Sequence, residues 1–344
     1  MDKTIKKRLI QIVGSKNFRE NEPMSRHTSF QIGGPAESFV EVTSLRTLVM
    51  VITETRKMGI PSFLLGGGAN ILVGDKGIAG VVIHNQTAKM SLIGKDRIRA
   101  ESGAVNAGFA SFAARNGLTG AEFLLAIPGT VGSAVRQNCH FRNPQSFSRY
   151  FVDFTKVTDC FVLNIVETVE ILTPDGQIKT VGRAYLGTDY HQSRLRETGD
   201  LVLAATFRLK KTNPKTISDL MRIMLEWRAK REFIDPSTGR VVARPKDPVT
   251  GHINIQPQLP SAGCVFSNLP NADNHPAGRL IDLAGLRCYK IGKAMFSPEH
   301  ANYIVNLGGA KAADVLALIN LAKEKVEKQF GLKLREEIVL VGEF

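Results

Sequence analysis

The first feature able to do chemistry is a run of three glycines, Gly66 to Gly68, that follows an apolar segment and precedes Asn70. Glycine has no Cβ, so the backbone here can adopt positive φ angles and approach a ligand closely. Successive N–H groups can then form a concave site for an anion such as phosphate. The run is neither a Walker loop nor a Rossmann fingerprint. It predicts either a nucleotide site or a tight connection between strands.

A second cluster of small residues, 126–135, combines Gly129 and Gly132 with apolar side chains. Backbone in this segment could also lie flat against a ligand. Two such loops in one half of the chain favour a long ligand held at both ends. The alternative is two unrelated turns.

Three further positions carry polar groups in unusual surroundings. Cys264 follows small residues and precedes an apolar pair, which would expose its thiol at the start of a strand. Glu337 opens the last apolar segment, and residues 190–193 cluster four side chains able to form hydrogen bonds. A purely structural role is the alternative for each, since a single cysteine is usually a small core residue.

A mixed fold must position these groups. Apolar residues at helical spacing predict helices over residues 2–13, 44–58, 106–115, 217–231 and 312–330. Short apolar runs predict strands over residues 37–42, 61–65, 80–84, 97–100, 168–172, 201–207 and 337–341. A boundary is expected at 210–214, and the Pro- and Gly-punctuated residues 235–260 are expected to form an exposed insertion or mobile loop.

Composition limits the class of protein. A chain of 344 residues with 43% hydrophobic and 22% charged residues is typical of a soluble globular protein with two or three domains. No apolar run is long enough for a membrane span or a secretory signal, which predicts a cytoplasmic protein. Four cysteines without CxxC spacing predict reduced thiols and no metal site.

The net charge of +13 predicts attraction to polyanions. The basic residues are spread along the chain, however, and the densest segment, 222–231, contains only Trp227 as an aromatic residue able to stack on a base. A phosphate-rich small molecule is therefore a better expected partner than nucleic acid, and no membrane partner is expected.

Five ordered segments resemble one enzyme family. They read RHTSFQIGGPA at 26–36, GGGAN at 66–70, GLTGAEF at 117–123 leading into IPGTVG at 127–132, PSAGCVFSN at 260–268, and SPEHANYIVN at 297–306. In this order they are similar to the UDP-N-acetylenolpyruvoylglucosamine reductases, the MurB family. The resemblance covers residues 20–344 and is far more specific than either glycine loop alone.

The resemblance implies an α+β chain with an FAD-binding fold of the vanillyl-alcohol-oxidase (PCMH) type and a smaller α+β substrate domain. The implied divisions are an N-terminal amphipathic helix in 1–20, the FAD-binding domain in 21–210 and the substrate-binding domain in 211–344, whose last strand would pack back on the active site. The implied reaction reduces UDP-N-acetylglucosamine enolpyruvate to UDP-N-acetylmuramate in peptidoglycan synthesis. FAD and NADPH are the implied cofactors, and a nucleotide sugar is the implied substrate.

The resemblance also assigns residues. Cys264 takes the position of a proton-donating serine, Glu337 that of a glutamate that polarises the enolpyruvyl carboxylate, and His191 that of an arginine that stabilises the enolate. The implied cofactor contacts are Gly66, Gly67, Gly68, Ala69, Asn70, Ile71, Ile127, Pro128, Gly129, Thr130, Gly132, Ser133 and Asn138. The implied substrate contacts are Tyr190, Ser193, Arg194, Asn268 and His300.

Three departures from the family pattern leave alternatives open. His191 is shorter than arginine and lacks its bidentate fork, and Arg194 is the other candidate for that place. Ser133 and His140 stand where the family has glycines, which would change FAD binding if those glycines touch the flavin. The third departure is the insertion at 235–260.

These departures leave three hypotheses. The chain is a working reductase, a flavoprotein paralogue with another substrate or weak turnover, or a binding or regulatory protein without flavin. A bound flavin would separate the first two from the third.

Overall fold

The computed structural model describes residues 2–142, 159–187, 193–230, 232–234, 241–243, 246–269 and 276–344. Its helices are α1 (Lys3–Val13), α2 (Leu45–Lys57), α3 (Asn106–Arg115), α4 (Val131–Gln137), α5 (Arg183–Leu186), α6 (Pro214–Ala229), α7 (Ala277–Leu283) and α8 (Ala312–Phe330).

The strands of the first half are β1 (Phe18–Pro23), β2 (Pro35–Val42), β3 (Ser62–Leu65), β4 (Ile71–Val73), β5 (Ile78–Asn85), β6 (Met90–Ile93), β7 (Arg97–Glu101), β8 (Leu118–Thr119), β9 (His140–Arg142), β10 (Asp159–Phe161) and β11 (Val166–Leu172). The later strands are β12 (Ile178–Gly182), β13 (Leu201–Arg208), β14 (Lys210–Lys211), β15 (Glu232–Ile234), β16 (Val241–Ala243), β17 (Lys290–Ile291), β18 (Ala294–Phe296), β19 (Ile304–Asn306) and β20 (Val339–Val341).

Side-chain caps set where several predicted helices begin. The Asp2 carboxylate caps α1, and the Ser44 hydroxyl accepts from the N–H of Thr47 at the start of α2. Helix α6 begins three residues before its predicted start because Asn213 caps it and Pro214 occupies its first position. Both residue types are favoured at these positions, so the apolar periodicity alone placed the start too late.

The first half of the chain builds two sheets. One is mixed, in the order β1-β2-β5-β3, with β2 and β3 both parallel to β5. Helices α1 and α2 cover one face of this sheet through a core that contains Leu9, Leu48 and Val81. The strands predicted at 37–42 and 61–65 therefore flank a third strand.

The second sheet is antiparallel, in the order β12-β11-β13-β7-β6. Its core includes side chains of α3, α4 and α6, and the rings of Phe109 and Phe207 lie 4.4 Å apart between their centroids. Helix α6 thus packs on the first half of the chain although it lies beyond the boundary predicted at 210–214.

The C-terminal part has a core of its own, built on α7, α8 and the β17-β18-β19 sheet, and it also buries Phe30 and Leu72 of the first half. The Asp75 carboxylate, just after β4, accepts from the N–H groups of Ala312 and Ala313. A residue of the first half of the chain thus caps the start of α8. Strand β20 pairs in parallel with β4. The end of the chain therefore returns to the segment that follows the first glycine loop.

The described part of the insertion, 246–260, where the sequence predicted an exposed insertion or a mobile loop, is docked on the C-terminal part of the fold by several contacts. Asp247 pairs with Arg279 of α7 at 2.8 Å, and Arg287 donates to Asn254 at 3.1 Å. The N–H of Ile255 donates to the carbonyl of Glu299, and that of Gln256 donates to the carbonyl of Arg228. These contacts join positions distant in sequence, so Pro and Gly content could not indicate them.

Among the residues that the structure describes, no helix has both the length and the apolar content needed to cross a bilayer.

Candidate active site

The two glycine loops meet. A Cβ on Gly67 would lie 3.0 Å from the Cα of Gly129, and one on Gly66 would lie 2.8 Å from the Thr130 hydroxyl oxygen. Gly68 has a φ of +60°, and a Cβ there would collide with the carbonyl of His27. A side chain at Gly66 or Gly67 would push against the second loop, and one at Gly68 would collide with the His27 backbone, so glycine is a requirement of the packing at these positions.

The first loop offers an anion site. In the described part of the chain, the N–H groups of Gly67, Gly68, Ala69 and Asn70 donate to no protein acceptor. Four consecutive unpaired N–H groups around a positive φ are the arrangement that binds phosphate oxygens through the backbone. This loop therefore fits the pyrophosphate of a dinucleotide such as FAD.

Asn106 supports the second glycine loop through two hydrogen bonds. Its backbone N–H donates to the carbonyl of Gly129, and its side-chain amide donates to that of Ile127 at 3.1 Å. The Ser133 hydroxyl accepts from the N–H of Thr130 and so caps the start of α4. Ser133, where the resemblance predicts a glycine, is thus bonded within the start of its own helix.

Two other loop residues have structural contacts. Asn138 ends α4 with a φ of +45°, and its side-chain oxygen accepts from the N–H of Leu163. His140, the second residue that replaces a family glycine, stacks on Phe161 with ring centroids 5.2 Å apart.

Cys264 and Glu337 are brought together by short backbone pairings. Cys264 forms a β-bridge with Tyr303, and the N–H of Glu337 donates to the carbonyl of Val265 at 2.8 Å. On its other side this last segment reaches the first glycine loop, because the N–H of Val339 donates to the carbonyl of Asn70. The segment that carries Glu337 therefore runs between the thiol and the first glycine loop.

The side chain of Asn70 bonds to the segment that carries Glu337. Its amide nitrogen donates to the carbonyl of Glu337 at 3.2 Å and to the side-chain oxygen of Gln137 at 3.3 Å. The backbone of Asn70 faces the anion site while its side chain fixes Glu337, so this residue couples the two parts of the site.

Burial shifts the pKa values of Glu337 and of two cysteines near it, Cys264 and Cys139. It raises the pKa of Glu337 to about 7. Burial, together with the nearby charge of Glu337, raises the pKa of the Cys264 thiol to about 12 and that of Cys139 to about 12. At neutral pH the Cys264 thiol therefore keeps its proton, and Glu337 is divided between its neutral and charged forms.

The predicted substrate residues fall in different places. His300 lies beside Tyr303, the β-bridge partner of Cys264, and the two ring centroids are 5.0 Å apart. Asn268 accepts from the N–H of Ala277 at the start of α7. Ser193 is buried and accepts from the N–H of Leu195, whereas the guanidinium of Arg194 lies over the ring of Tyr185. Tyr190 and His191 lie outside the described residues.

Three residues near Glu337 and Tyr303 had not been singled out in the sequence. Arg228, near the end of α6, donates to the carbonyl of Ala126, and its charge opposes the rise in the pKa of the Tyr303 hydroxyl that burial causes. The Asn302 side chain pairs with both backbone groups of Phe266. Gln137 contacts Asn70. The dense basic run at 222–231 was the available signal for Arg228.

Comparison with known proteins decides the family. Residues 36–182 match the family model of the FAD binding domain, and residues 256–341 match that of the C-terminal domain of UDP-N-acetylenolpyruvoylglucosamine reductase. The chain is 34% identical to the reductase of that name from Agathobacter rectalis over the full length of both proteins. It is 36% identical to the one from Geotalea uraniireducens, covering 94% of each.

The chain belongs to the UDP-N-acetylenolpyruvoylglucosamine reductase family. Its fold agrees with the crystal structure of the family member from Thermus caldophilus at a TM-score of 0.69 and 29% identity, covering 94% of this chain and 99% of that one. The predicted fold class, α+β with an FAD-binding domain, is confirmed by these matches.

Proposed function

We propose that this protein reduces UDP-N-acetylglucosamine enolpyruvate to UDP-N-acetylmuramate, with FAD as its cofactor and NADPH as its reductant. The observation that carries the proposal is the position of Glu337, which is bonded to Val265, next to Cys264, on one side and to Asn70 of the first glycine loop on the other. A thiol and a carboxyl group thus lie near the unpaired backbone N–H groups of the first glycine loop, which supports this proposal.

When bound, FAD supplies the hydride chemistry that the side chains of this protein cannot perform. We propose that residues 67–70 hold its pyrophosphate and that the loop at Ile127 to Ser133 supports it from the opposite side. Reduction of the enolpyruvyl double bond adds a hydride to one carbon and a proton to the other. The protein must therefore bind the enolpyruvyl group and supply the proton.

Cys264 is the proposed proton donor. Its S–H bond breaks as the new C–H bond forms, and the electron pair of the broken bond stays on sulfur. Because burial raises the pKa of this thiol to about 12, its proton is present throughout the neutral range. A serine hydroxyl at the same place would also be protonated, so the Cys-for-Ser replacement preserves the required state.

Glu337 is the proposed partner of the substrate carboxylate. A charged glutamate would repel that group, but burial raises the pKa of Glu337 to about 7 and keeps a neutral fraction available. In its neutral form Glu337 can donate a hydrogen bond to the carboxylate and withdraw electron density from the double bond. We further propose His300, beside Tyr303, as a substrate contact.

The test is NADPH oxidation by the FAD-loaded protein with and without UDP-N-acetylglucosamine enolpyruvate. We expect oxidation that depends on this substrate and a product heavier by two hydrogen atoms in mass spectrometry. An FAD-loaded protein that leaves the substrate unchanged would instead support the paralogue interpretation. A protein that cannot be loaded with flavin would exclude both enzyme interpretations.

A further inference from the structure

The segment that carries Cys264 changes its pairing partner at Val265. Cys264 forms a β-bridge with Tyr303, and the N–H of Val265 donates to the carbonyl of Asn302 at 2.8 Å. The carbonyl of Val265 accepts instead from the N–H of Glu337, also at 2.8 Å. In a regular strand the N–H and the carbonyl of one residue face the same neighbour, so the backbone turns here. This turn brings the residue that carries the thiol next to the segment that carries Glu337.

The turn leaves the backbone groups of Phe266 without a strand partner. In the β-bridge of Phe266 with Glu336 the neighbouring residues make the hydrogen bonds, since the N–H of Ser267 donates to the carbonyl of Arg335 at 3.0 Å. The Asn302 side chain binds both groups of Phe266. Its Oδ1 accepts from the N–H at 3.0 Å, and its Nδ2 donates to the carbonyl at 2.8 Å. One amide side chain thus takes the place of a neighbouring strand.

These two hydrogen bonds are buried, since Asn302 is 3% exposed and Phe266 is 1% exposed. A buried backbone N–H or carbonyl that loses its partner costs free energy, because water does not replace the hydrogen bond. We therefore expect the backbone at 265–266 to shift if the Asn302 amide is removed. Cys264 lies two residues before Phe266 in the same segment, so such a shift would move the thiol.

Asn302 also orients His300. The backbone N–H of Asn302 donates to Nδ1 of His300 at 3.2 Å, so the proton of the neutral ring is on Nε2. Helix α7 packs against both residues, because a Cβ on Gly278 would lie 3.0 Å from Cε1 of His300 and 3.4 Å from the Cβ of Asn302. Asn302 therefore contacts the proposed substrate residue through its backbone and the segment of the proposed donor through its side chain.

We infer that Asn302 is a positioning residue for proton donation by Cys264: its amide fixes the backbone at Phe266 and so sets where the thiol lies relative to Tyr303 and Glu337. The inference rests on the proposed function and, within it, on the donor role of Cys264. Asn302 takes no part in the bond changes of that step. Its contribution is geometric, and a displacement of about 1 Å in a reacting group costs about 100-fold in rate.

The test is a double-mutant cycle between Asn302 and Cys264, with kcat for UDP-N-acetylmuramate formation by the FAD-loaded protein as the measurement. Asn302→Asp keeps an acceptor for the N–H of Phe266 and loses the donor to its carbonyl. Asn302→Leu loses both. Each substitution is measured alone and in a Cys264→Ala background, and flavin content confirms that each variant is folded.

Asn306→Asp is the matched control. Asn306 is also buried, its amide nitrogen donates to the carbonyl of Phe30 at 3.0 Å, and its side-chain oxygen accepts from the N–H groups of Gly308 and Ala310. The substitution thus removes a donor to a backbone carbonyl and keeps an acceptor, as Asn302→Asp does. Any effect of Asn306→Asp on kcat should be the same factor in both backgrounds.

We expect Asn302→Asp to lower kcat about 100-fold when Cys264 is present and about twofold or less in the Cys264→Ala background. A residue that acts through the thiol has nothing left to position once the thiol is gone, so the two losses are not additive. Asn302→Leu should show the same pattern, and the KM for NADPH should not change in either variant.

Two results would overturn the inference alone. One is an equal loss of kcat in both backgrounds, which would give Asn302 the merely structural role expected of Asn306. The other is wild-type kcat in folded Asn302→Asp and Asn302→Leu proteins. Wild-type turnover in the single variant Cys264→Ala would instead contradict the proposed donor role and the inference with it.

Discussion

Gly67 and Gly129 are in close contact, because a Cβ on Gly67 would stand 3.0 Å from the Cα of Gly129. The two glycine-rich loops, far apart in sequence, therefore form one surface. The pyrophosphate site that we propose on residues 67–70 depends on this contact, because it sets where the four unpaired N–H groups point.

Gly67→Val should abolish flavin binding. Its branched side chain would displace Gly129 and separate the loops. The measurement is the flavin content of the purified protein, judged from its absorbance spectrum. Gly182→Val is the matched control, because a Cβ on Gly182 meets nothing within 4 Å. Wild-type flavin content in Gly67→Val would remove the proposed phosphate site.

Glu337 should impose a pH limit on turnover. The proposed role requires its neutral form, and burial raises its pKa to about 7. We therefore expect kcat/KM for the enolpyruvyl substrate to decline as the pH rises through 7. Glu337→Gln, which is neutral at every pH, should lose this decline. A glutamine variant that keeps the same decline would assign it to another group.

The same shift should appear in stability. The folded-state pKa of Glu337 lies above the unfolded value of about 4.3, so its contribution to the free energy of unfolding is fully present below that pH. The contribution is lost as the pH rises through about 7. Denaturant unfolding at several pH values should show a weaker decline for Glu337→Gln than for the wild type. Equal declines would mean that this carboxyl group is not buried as described.

The docked insertion should depend on Asp247. Burial alone would raise the pKa of this carboxyl group, but hydrogen bonds from Arg279 and from the N–H groups of Thr250 and Val249 outweigh burial and lower it to about 2. Asp247→Asn removes the charge-assisted hydrogen bonds to Arg279, which should cost about 1.5–3 kcal/mol in the free energy of unfolding.

Denaturant unfolding of Asp247→Asn measures this loss, with the more exposed Asp96→Asn as a control expected to change stability by about 1 kcal/mol or less. The ionised Asp247 also makes acid destabilising. Its contribution is present above about pH 3.9 and is lost as the pH falls through about 2. An Asp247→Asn protein as stable as the wild type would show that this ion pair does not hold the insertion.

Local sequence signals predicted much of the fold. Helices α3 and α8 begin and end at the predicted residues, since Gly117 and Gly331 mark their ends and their apolar stripes are regular. Contacts between distant segments were not predictable in this way. Nothing around Arg228 indicates that its side chain donates to Ala126, and nothing in 246–260 indicates that Asp247 meets Arg279.

In the candidate site too, local patterns identified residues, whereas contacts between distant segments were not predictable. The glycine loops, Cys264 and Glu337 were found because their residue types carry chemistry or resemble a family pattern. The cofactor contact of Asn70 stays a prediction. That the Asn70 amide also donates to the carbonyl of Glu337 depends on the return of β20 to β4. That pairing is a product of the whole fold, so no local pattern contains it.

The central claim is that Cys264 donates the proton. The most direct measurement is the rate of UDP-N-acetylmuramate formation by the wild type, Cys264→Ser and Cys264→Ala, each loaded with FAD, with Cys288→Ser as the control for loss of an exposed cysteine. We expect Cys264→Ser and Cys288→Ser to retain activity and Cys264→Ala to lose about two or more orders of magnitude, the typical contribution of a positioned general acid. Wild-type turnover in Cys264→Ala would contradict the claim and leave the thiol a structural role.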